Sequence, residues 1–346
     1  MKLTGATLNL TGLLIILLAL AFPKASRAQT AREQILAEMS RLEKTLPSLK
    51  LSDEEKRQRA SALESVRQTL QAGNIYLTLY RLQPLRVEIM AQSYAASKAD
   101  IEAKGTDAFE KEWQRLGAEL AEKEKRQASL SVDKTPVAVR ALAEVSLTQV
   151  RPYYQSGRLF SLNASIGEGL YYLGLAPANL DFAILCGELR FTETGTPRKL
   201  RSLGAELSKL EAEILESYRR MESNESQPQF NRLNATLKMA VELDREGRYS
   251  GAMLKYLDAT LFLNLLTETP ATVKDLPRLQ EQRRLMDERL KRAGAADHSI
   301  GLIYLASARA TLDDAARGRF DPETFKRAGV IIDRVLPRYF EVSGDK

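Results

Sequence analysis

A glycine turn between two amphipathic segments constrains this chain more than any other feature of its sequence. Apolar residues recur at helical spacing over 233–244, and Gly247 follows shortly after them. Glycine can adopt the left-handed conformation that closes a helix without a Cβ clash. Beyond the turn, apolar and small residues recur at intervals of three and four over 249–260. The pattern predicts two helices packed as an antiparallel hairpin.

Three related turns are predicted at Gly73, Gly157 and Gly318. Each glycine is followed by Asn or Arg and then by a large apolar residue. Successive turn glycines, with Gly247 included, lie 84, 90 and 71 residues apart. In a tandem array of short helical repeats, equivalent turns would recur about every 20–50 residues. We therefore expect several hairpins of one kind, separated by other helices, instead of a regular array.

The segment 233–266 resembles one tetratricopeptide repeat. The matching positions are Gly247, Tyr249, Ala252, Tyr256 and Ala259, with Ala240 at the small position of the first helix. Thr236 and Leu243 depart from the pattern where aromatic residues are usual, and Asn264 stands where a proline is usual. The resemblance implies a helical scaffold that presents a surface for a protein or peptide. Any antiparallel hairpin with a glycine turn and small contact residues would show similar features.

No stretch shows the sustained alternation of apolar and polar residues that is typical of strands. We expect an all-α chain of about a dozen helices, built as a partly repeat-like assembly of helical hairpins. Such an assembly is either an irregular α-solenoid or a bundle. A heptad pattern over 200–221 is expected either to pack internally or to form a dimer contact.

The beginning of the chain has the features of a secretory signal peptide. Lys2 precedes an apolar run over 13–22, and Ser26 and Ala28 supply small residues for cleavage after Ala28. An uncleaved membrane anchor is the alternative. We expect no later membrane span, and a chain exported to a periplasm or to the outside of the cell. The mature chain is expected to contain a long-helix region at 29–130 and a hairpin domain at 131–346, joined near 129–135.

The charge of the chain gives no indication of nucleic-acid binding. The formal net charge is +6, and Lys2, Lys24 and Arg27 lie in the predicted signal peptide, where there is no acid. Cleavage of that segment would therefore remove half of the net positive charge. The remaining acids and bases alternate along predicted helices, as they do on solvated faces.

Few residues are available for metal or nucleophilic chemistry. His298 is the one histidine, which excludes zinc sites built on several histidines, and we expect it to be an exposed or capping residue. Cys186 is the one cysteine and lies in an apolar segment, so we expect a packed thiol. Phosphate-binding glycine motifs are absent from the sequence. We expect no cofactor and no metal site.

Carboxylates are the remaining means of catalysis. Glu168, Asp181 and Glu188 fall in the aromatic-rich segment 153–191. Two acids in a partly apolar cleft can cleave a glycosidic bond, one as acid and one as base or nucleophile. A cell-envelope enzyme that cleaves glycan is therefore an alternative function. Acids that cap helices or pair with arginines would give the same pattern.

Aromatic residues are the main candidates for binding. The segment 153–191 contains Tyr153, Tyr154, Tyr171 and Tyr172, together with Phe160 and Phe182. The central hairpin contains Tyr249 and Tyr256. Such residues either line a groove for a ligand, a lipid or a partner helix, or form the core between two helices. The function we expect is a non-catalytic, exported scaffold that binds a protein or peptide partner in the cell envelope. A helical carrier of a ligand or lipid is a further alternative.

Overall fold

The computed structural model describes residues 30–130, 135–192, 196, 200–220, 227–269, 271–292 and 297–344. The predicted signal peptide and most of the predicted linker at 129–135 lie outside these residues. Within the described ranges the chain consists of helices and their connections and contains no strand. The prediction of an all-α fold with about a dozen helices is confirmed.

The helices vary from one short turn to long rods. They are α1 Ala31–Thr45, α2 Asp53–Gln71, α3 Ile75–Ser97, α4 Ala99–Lys104, α5 Thr106–Ala128, α6 Val137–Asn163, α7 Ile166–Glu188, α8 Gly204–Arg220, α9 Gln227–Arg245, α10 Tyr249–Thr267, α11 Leu276–Arg292, α12 Ser299–Ala316, α13 Pro322–Val330 and α14 Leu336–Ser343. A π-helical segment, Ile331–Val335, joins α13 and α14 into one continuous helix. Short 3₁₀ helices occupy Leu46–Ser48 and Val273–Asp275.

Three of the four predicted glycine turns share one geometry. Gly73, Gly247 and Gly318 have positive φ angles of 82°, 73° and 79°. In each turn the next residue donates its backbone N–H to a carbonyl five positions back, which closes the preceding helix. The bonds run from Asn74 to Thr69 (3.2 Å), from Arg248 to Leu243 (2.9 Å) and from Arg319 to Asp314 (2.9 Å).

The prediction of a turn at Gly157 was wrong. Gly157 lies inside α6, and α6 and α7 are joined instead at Ala164 and Ser165. A Cβ atom at position 157 would lie 2.6 Å from Leu173 Cδ2 on α7. The glycine therefore allows two helices to approach closely, a role that local sequence does not distinguish from a turn.

The two long helices α6 and α7 form the centre of the fold. They pack against each other along their lengths, and α3 packs on α7 while α10 packs on α6. The largest set of mutually packed buried residues extends from Ala31 in α1 to Val342 in α14. Residues on both sides of position 130 thus contribute to one core, and the predicted domain boundary there remains a prediction.

The heptad pattern near α8 contributes to the internal core. Leu203, Leu207, Leu210 and Ile214 are buried within the chain itself. The helix begins at Gly204, a few residues later than the heptad pattern indicated. Leu215 and Tyr218 remain about half exposed on the other face.

One helix among the described residues, α7, is long and apolar enough to cross a membrane. In its most apolar window, 78% of the residues are buried inside the protein. This burial is what the central helix of a packed core shows, and the expectation of no later membrane span stays a prediction.

A buried carboxylate on α5 predicts a specific acid sensitivity. Glu112 accepts hydrogen bonds from Arg115 (2.8 Å) and Tyr94 (2.8 Å) and pairs with Lys98 (3.1 Å). The hydrogen bond from Arg115, followed by those from Tyr94 and Lys98, lowers the pKa of Glu112 from 4.5 to about 2. Because the folded pKa is the lower one, the stabilisation is present above pH 4.5 and is lost as the pH falls towards 2.

We expect Glu112→Gln to lower the free energy of unfolding by about 2 kcal/mol near pH 7, and by much less near pH 2. Urea unfolding of both proteins at the two pH values measures the difference. A destabilisation that does not depend on pH would contradict the assigned role of the Glu112 charge.

Candidate binding cleft

The three predicted catalytic acids lie at separate positions along α7. Glu168 lies exposed in the first turn of α7, where its N–H donates to Ser165 Oγ (3.1 Å). Asp181 pairs with Lys123 (3.0 Å), and Glu188 pairs with Arg126. At 1.5 Å per residue, Glu168 and Asp181 are roughly 20 Å apart along the helix axis, and Asp181 and Glu188 roughly 10 Å. Carboxylates that cleave glycosidic bonds lie within about 5–9.5 Å of each other.

Two of the predicted aromatic residues are core residues. Tyr154 is buried, its ring stacks on Trp113 at 4.9 Å, and its hydroxyl donates to the Trp113 carbonyl (2.8 Å). Phe182 is fully buried. Both side chains fill the space around α6 and α7.

Four other aromatic residues form a half-buried cluster. Tyr172 stacks on Phe160 with 4.0 Å between the ring centroids, and its ring lies 5.7 Å from Tyr171 and 6.4 Å from Tyr153. Burial raises the pKa of both Tyr153 and Tyr171. The structure thus brings Tyr153, Tyr171 and Tyr172 together, at the side of α7 that faces α3.

The two hairpin tyrosines occupy different environments. Tyr256 is buried, and burial raises its pKa although Arg338 lies close by. Tyr249 begins α10 and is half-buried. Tyr256 belongs to the core, and neither residue lines the cleft described below.

Cys186 and His298 are both buried. The expected packed thiol of Cys186 is confirmed, since the side chain is fully buried in the core, and this burial raises its pKa to about 12. His298 stands at the N-cap position of α12, but its side chain is buried and makes no capping bond. Its Nδ1 lies 3.0 Å from the hydroxyl of Tyr339. The side chain is buried because the last helix packs over the start of α12.

No group of three or more metal-ligating side chains occurs in the ranges that the structure describes.

A cleft of about 520 Å³ lies where α3, α6, α7, α9, α10 and α13 meet. Tyr153 connects it to the aromatic cluster. Its volume falls in the usual range for binding pockets, which is about 300–1,000 Å³. Four cations and one carboxylate line it: Arg81, Arg232, Lys255, Arg327 and Asp258. We call this feature the basic cleft.

Asp258 is held in a buried network and does not neutralise the arginines. It is 2% exposed, and its Oδ1 accepts hydrogen bonds from the hydroxyls of Tyr80 (2.7 Å) and Tyr304 (2.9 Å). Its Oδ2 accepts one from Lys255 Nζ (2.9 Å). Burial and the neighbouring Asp258 charge raise the pKa of both tyrosines well above its usual value, so both hydroxyls stay protonated donors. The network joins α3, α10 and α12.

The three arginines of the basic cleft form no ion pair with any residue in the described part of the chain. Arg81 donates to the hydroxyl of Thr69 (3.0 Å), and Arg232 lies 4.6 Å over the ring of Phe262. Burial, with the nearby charge of Arg327, lowers the pKa of Arg81. Three cations with no carboxylate partner in the part of the chain that the structure describes thus share one concave surface.

These residues were missed in the sequence because nothing local indicates that side chains from six separate helices line one cleft. One signal was available: Asp258 interrupts an almost wholly apolar segment of α10. A carboxylate in such a segment needs partners when it is buried, and that requirement indicates a polar site near α10. Two of its three partners, Tyr80 and Tyr304, come from distant parts of the chain.

No protein-family model matches the chain, and no curated protein or solved structure is significantly similar to it. The resemblance of 233–266 to a tetratricopeptide hairpin therefore stays an expectation, and the basic cleft is the feature on which a function can be argued.

Proposed function

We propose that this chain is an exported, non-catalytic helical scaffold that binds a segment of a partner protein in the basic cleft. The observation that supports this proposal is the cleft itself. Six helices contribute to it, and its lining combines charged, amide and apolar side chains. Such a mixed lining suits a peptide, which presents backbone polar groups and side chains of several kinds.

Available hydrogen-bonding groups and apolar surface in the cleft support a peptide ligand. The Gln149 amide has no hydrogen-bond partner among the described residues and lines the cleft beside Tyr153. Met239 and Phe262 supply half-buried apolar surface on the opposite side. The glycan-cleaving alternative has less support, because Asp181 and Glu188 are engaged in ion pairs. A lipid carrier has less support because an acyl chain would have to lie against several guanidinium groups.

A substitution that fills the cleft tests this proposal. We expect Gln149→Trp to reduce capture of a companion protein from the cell-envelope fraction at least tenfold, because the indole occupies the space of the bound segment. The matched control is Gln58→Trp, on an exposed face of α2 outside the cleft. Affinity purification followed by native mass spectrometry measures the companion, and thermal melting confirms that both variants fold.

Equal capture by Gln149→Trp and by the unchanged protein would contradict the proposal. A purified chain that carries no companion protein under gentle conditions would contradict it as well.

A further inference from the structure

We propose that the segment bound in the basic cleft is acidic, and that its carboxylates bind Arg81, Arg232 and Arg327. This inference rests on the proposed function and specifies the partner of the same site. The alternatives, a neutral peptide and a free oxyanion, are outcomes of the test below.

Charge complementarity is the first argument. Arg81 and Arg327 are both half-buried in the cleft, and neither has a carboxylate partner among the described residues. Like charges in a partly desolvated site repel each other, and an anion placed between them removes that repulsion. Many other arginines in the described ranges are paired with carboxylates, including both arginines on α5 and three of the five on α11. The basic cleft, with four cations and one carboxylate, is a local excess of positive charge.

The fixed negative charge of Asp258 does not supply the missing partner. Its two oxygens already receive three hydrogen bonds, from Tyr80, Tyr304 and Lys255. These bonds hold the side chain between α3, α10 and α12. An external carboxylate would supply the anionic partner that the arginines do not have among the described residues.

The distribution of the arginines favours an extended acidic segment over a single small anion. Arg81 lies on α3, Arg232 on α9 and Arg327 on α13, so the guanidinium groups approach the cleft from three helices. Arg232 is exposed at the rim, over the ring of Phe262, while Arg81 and Arg327 lie deeper. Each planar guanidinium can bind one carboxylate through two parallel hydrogen bonds. Several carboxylates along one chain fit this arrangement.

The test is peptide binding to the purified full chain by fluorescence anisotropy. The probes are a labelled octaglutamate peptide, an octaglutamine peptide of the same length, and inorganic phosphate as an unlabelled competitor. We expect octaglutamate to bind and octaglutamine to bind at least tenfold more weakly. Affinity should fall at least tenfold between about 50 and 300 mM salt, because partly exposed charge pairs are screened.

A pair of double variants locates the site. We expect the double variant that combines Arg81→Gln and Arg327→Gln to bind octaglutamate about 100-fold more weakly, which is roughly tenfold for each lost charged contact. The matched control, Arg126→Gln with Arg284→Gln, removes the same charge from exposed positions on α5 and α11. We expect it to change binding less than threefold.

Three results would overturn the inference: equal binding of the two peptides, equal loss in the two double variants, or displacement of octaglutamate by phosphate at an equal concentration. The last result would assign the arginines to a free oxyanion. If a companion protein is lost in Gln149→Trp but retained in the Arg81 and Arg327 double variant, the proposed function stands and the acidic partner does not. If octaglutamate binds in the cleft but no companion protein exists, the proposed function fails.

Discussion

Replacing Asp258 with alanine should lower the free energy of unfolding by about 3–5 kcal/mol, the cost of removing one partner from a buried charged network. The substitution leaves Lys255 without its anion and the hydroxyl of Tyr80 without its acceptor. The hydroxyl of Tyr304 keeps a longer contact to the Leu254 carbonyl, at 3.2 Å. The loss is large because Asp258 and Tyr304 are buried and Tyr80 and Lys255 are half-buried, so that water replaces the lost bonds poorly.

Two further variants define the origin of this effect. Asp258→Asn keeps the oxygen that accepts from both tyrosines and removes the charge opposite Lys255, so we expect an intermediate loss. Asp313→Ala removes an exposed carboxylate on α12 that pairs with Arg309 at 3.6 Å, and we expect it to cost less than about 1 kcal/mol. Denaturant unfolding of the three variants measures the series. Equal stability of Asp258→Ala and the unchanged protein would show that the network does not hold the helices together.

The close approach of α6 and α7 predicts the second large effect. A Cβ atom at Gly169 would lie 2.8 Å from the Gly157 carbonyl oxygen and 2.6 Å from Ser161 Cβ. The ring of Phe109 on α5 would be 3.0 Å away. We expect Gly169→Val to destabilise the protein by about 3 kcal/mol or more, because the backbone on one side of the contact cannot rotate away.

A glycine elsewhere provides the control. Gly204 begins α8, and a Cβ atom there would meet Ser202 Oγ at 3.5 Å, an ordinary van der Waals distance. We expect Gly204→Ala to be neutral, or to stabilise by up to about 1 kcal/mol, because alanine restricts the unfolded chain and favours helix. Thermal and urea unfolding compare the two variants. A neutral Gly169→Val would mean that α6 and α7 pack less closely than described.

The turns were predictable because their chemistry is local. Gly73, Gly247 and Gly318 each follow an amphipathic helix and precede a large apolar residue, and the bonds that close the helix lie within six residues. Gly157 has the same neighbours in sequence but serves the packing of α6 on α7. Distinguishing the two cases requires the position of Leu173, sixteen residues further along the chain.

The aromatic segment was predictable as a cluster but not as a site. Its spacing placed Tyr153, Tyr171 and Tyr172 on neighbouring helices, and the structure brings them together. The same spacing gave no means of separating these residues from Tyr154, which is buried against Trp113. Which aromatic residue faces a cleft depends on α3, more than fifty residues away in the chain.

The basic cleft was not predictable from the sequence. Its lining residues extend from Tyr80 to Arg327, and six helices must assemble before the cleft exists. On its own helix no arginine shows that it meets the other two, and Arg81 lies in a largely apolar segment. The unmatched charge becomes visible only when the ion pairs of the folded chain are assigned.

Site-specific photo-crosslinking in intact cells tests the central claim most directly. A photoreactive amino acid at Thr236 places the reactive group on α9 inside the basic cleft, and one at Gln58 places it on an exposed face of α2. We predict a discrete cross-linked protein from position 236, lost when Arg81 and Arg327 are changed to glutamine, and none from position 58. No cross-linked protein at position 236, or the same product from both positions, would contradict the account of the cleft as a partner-binding site.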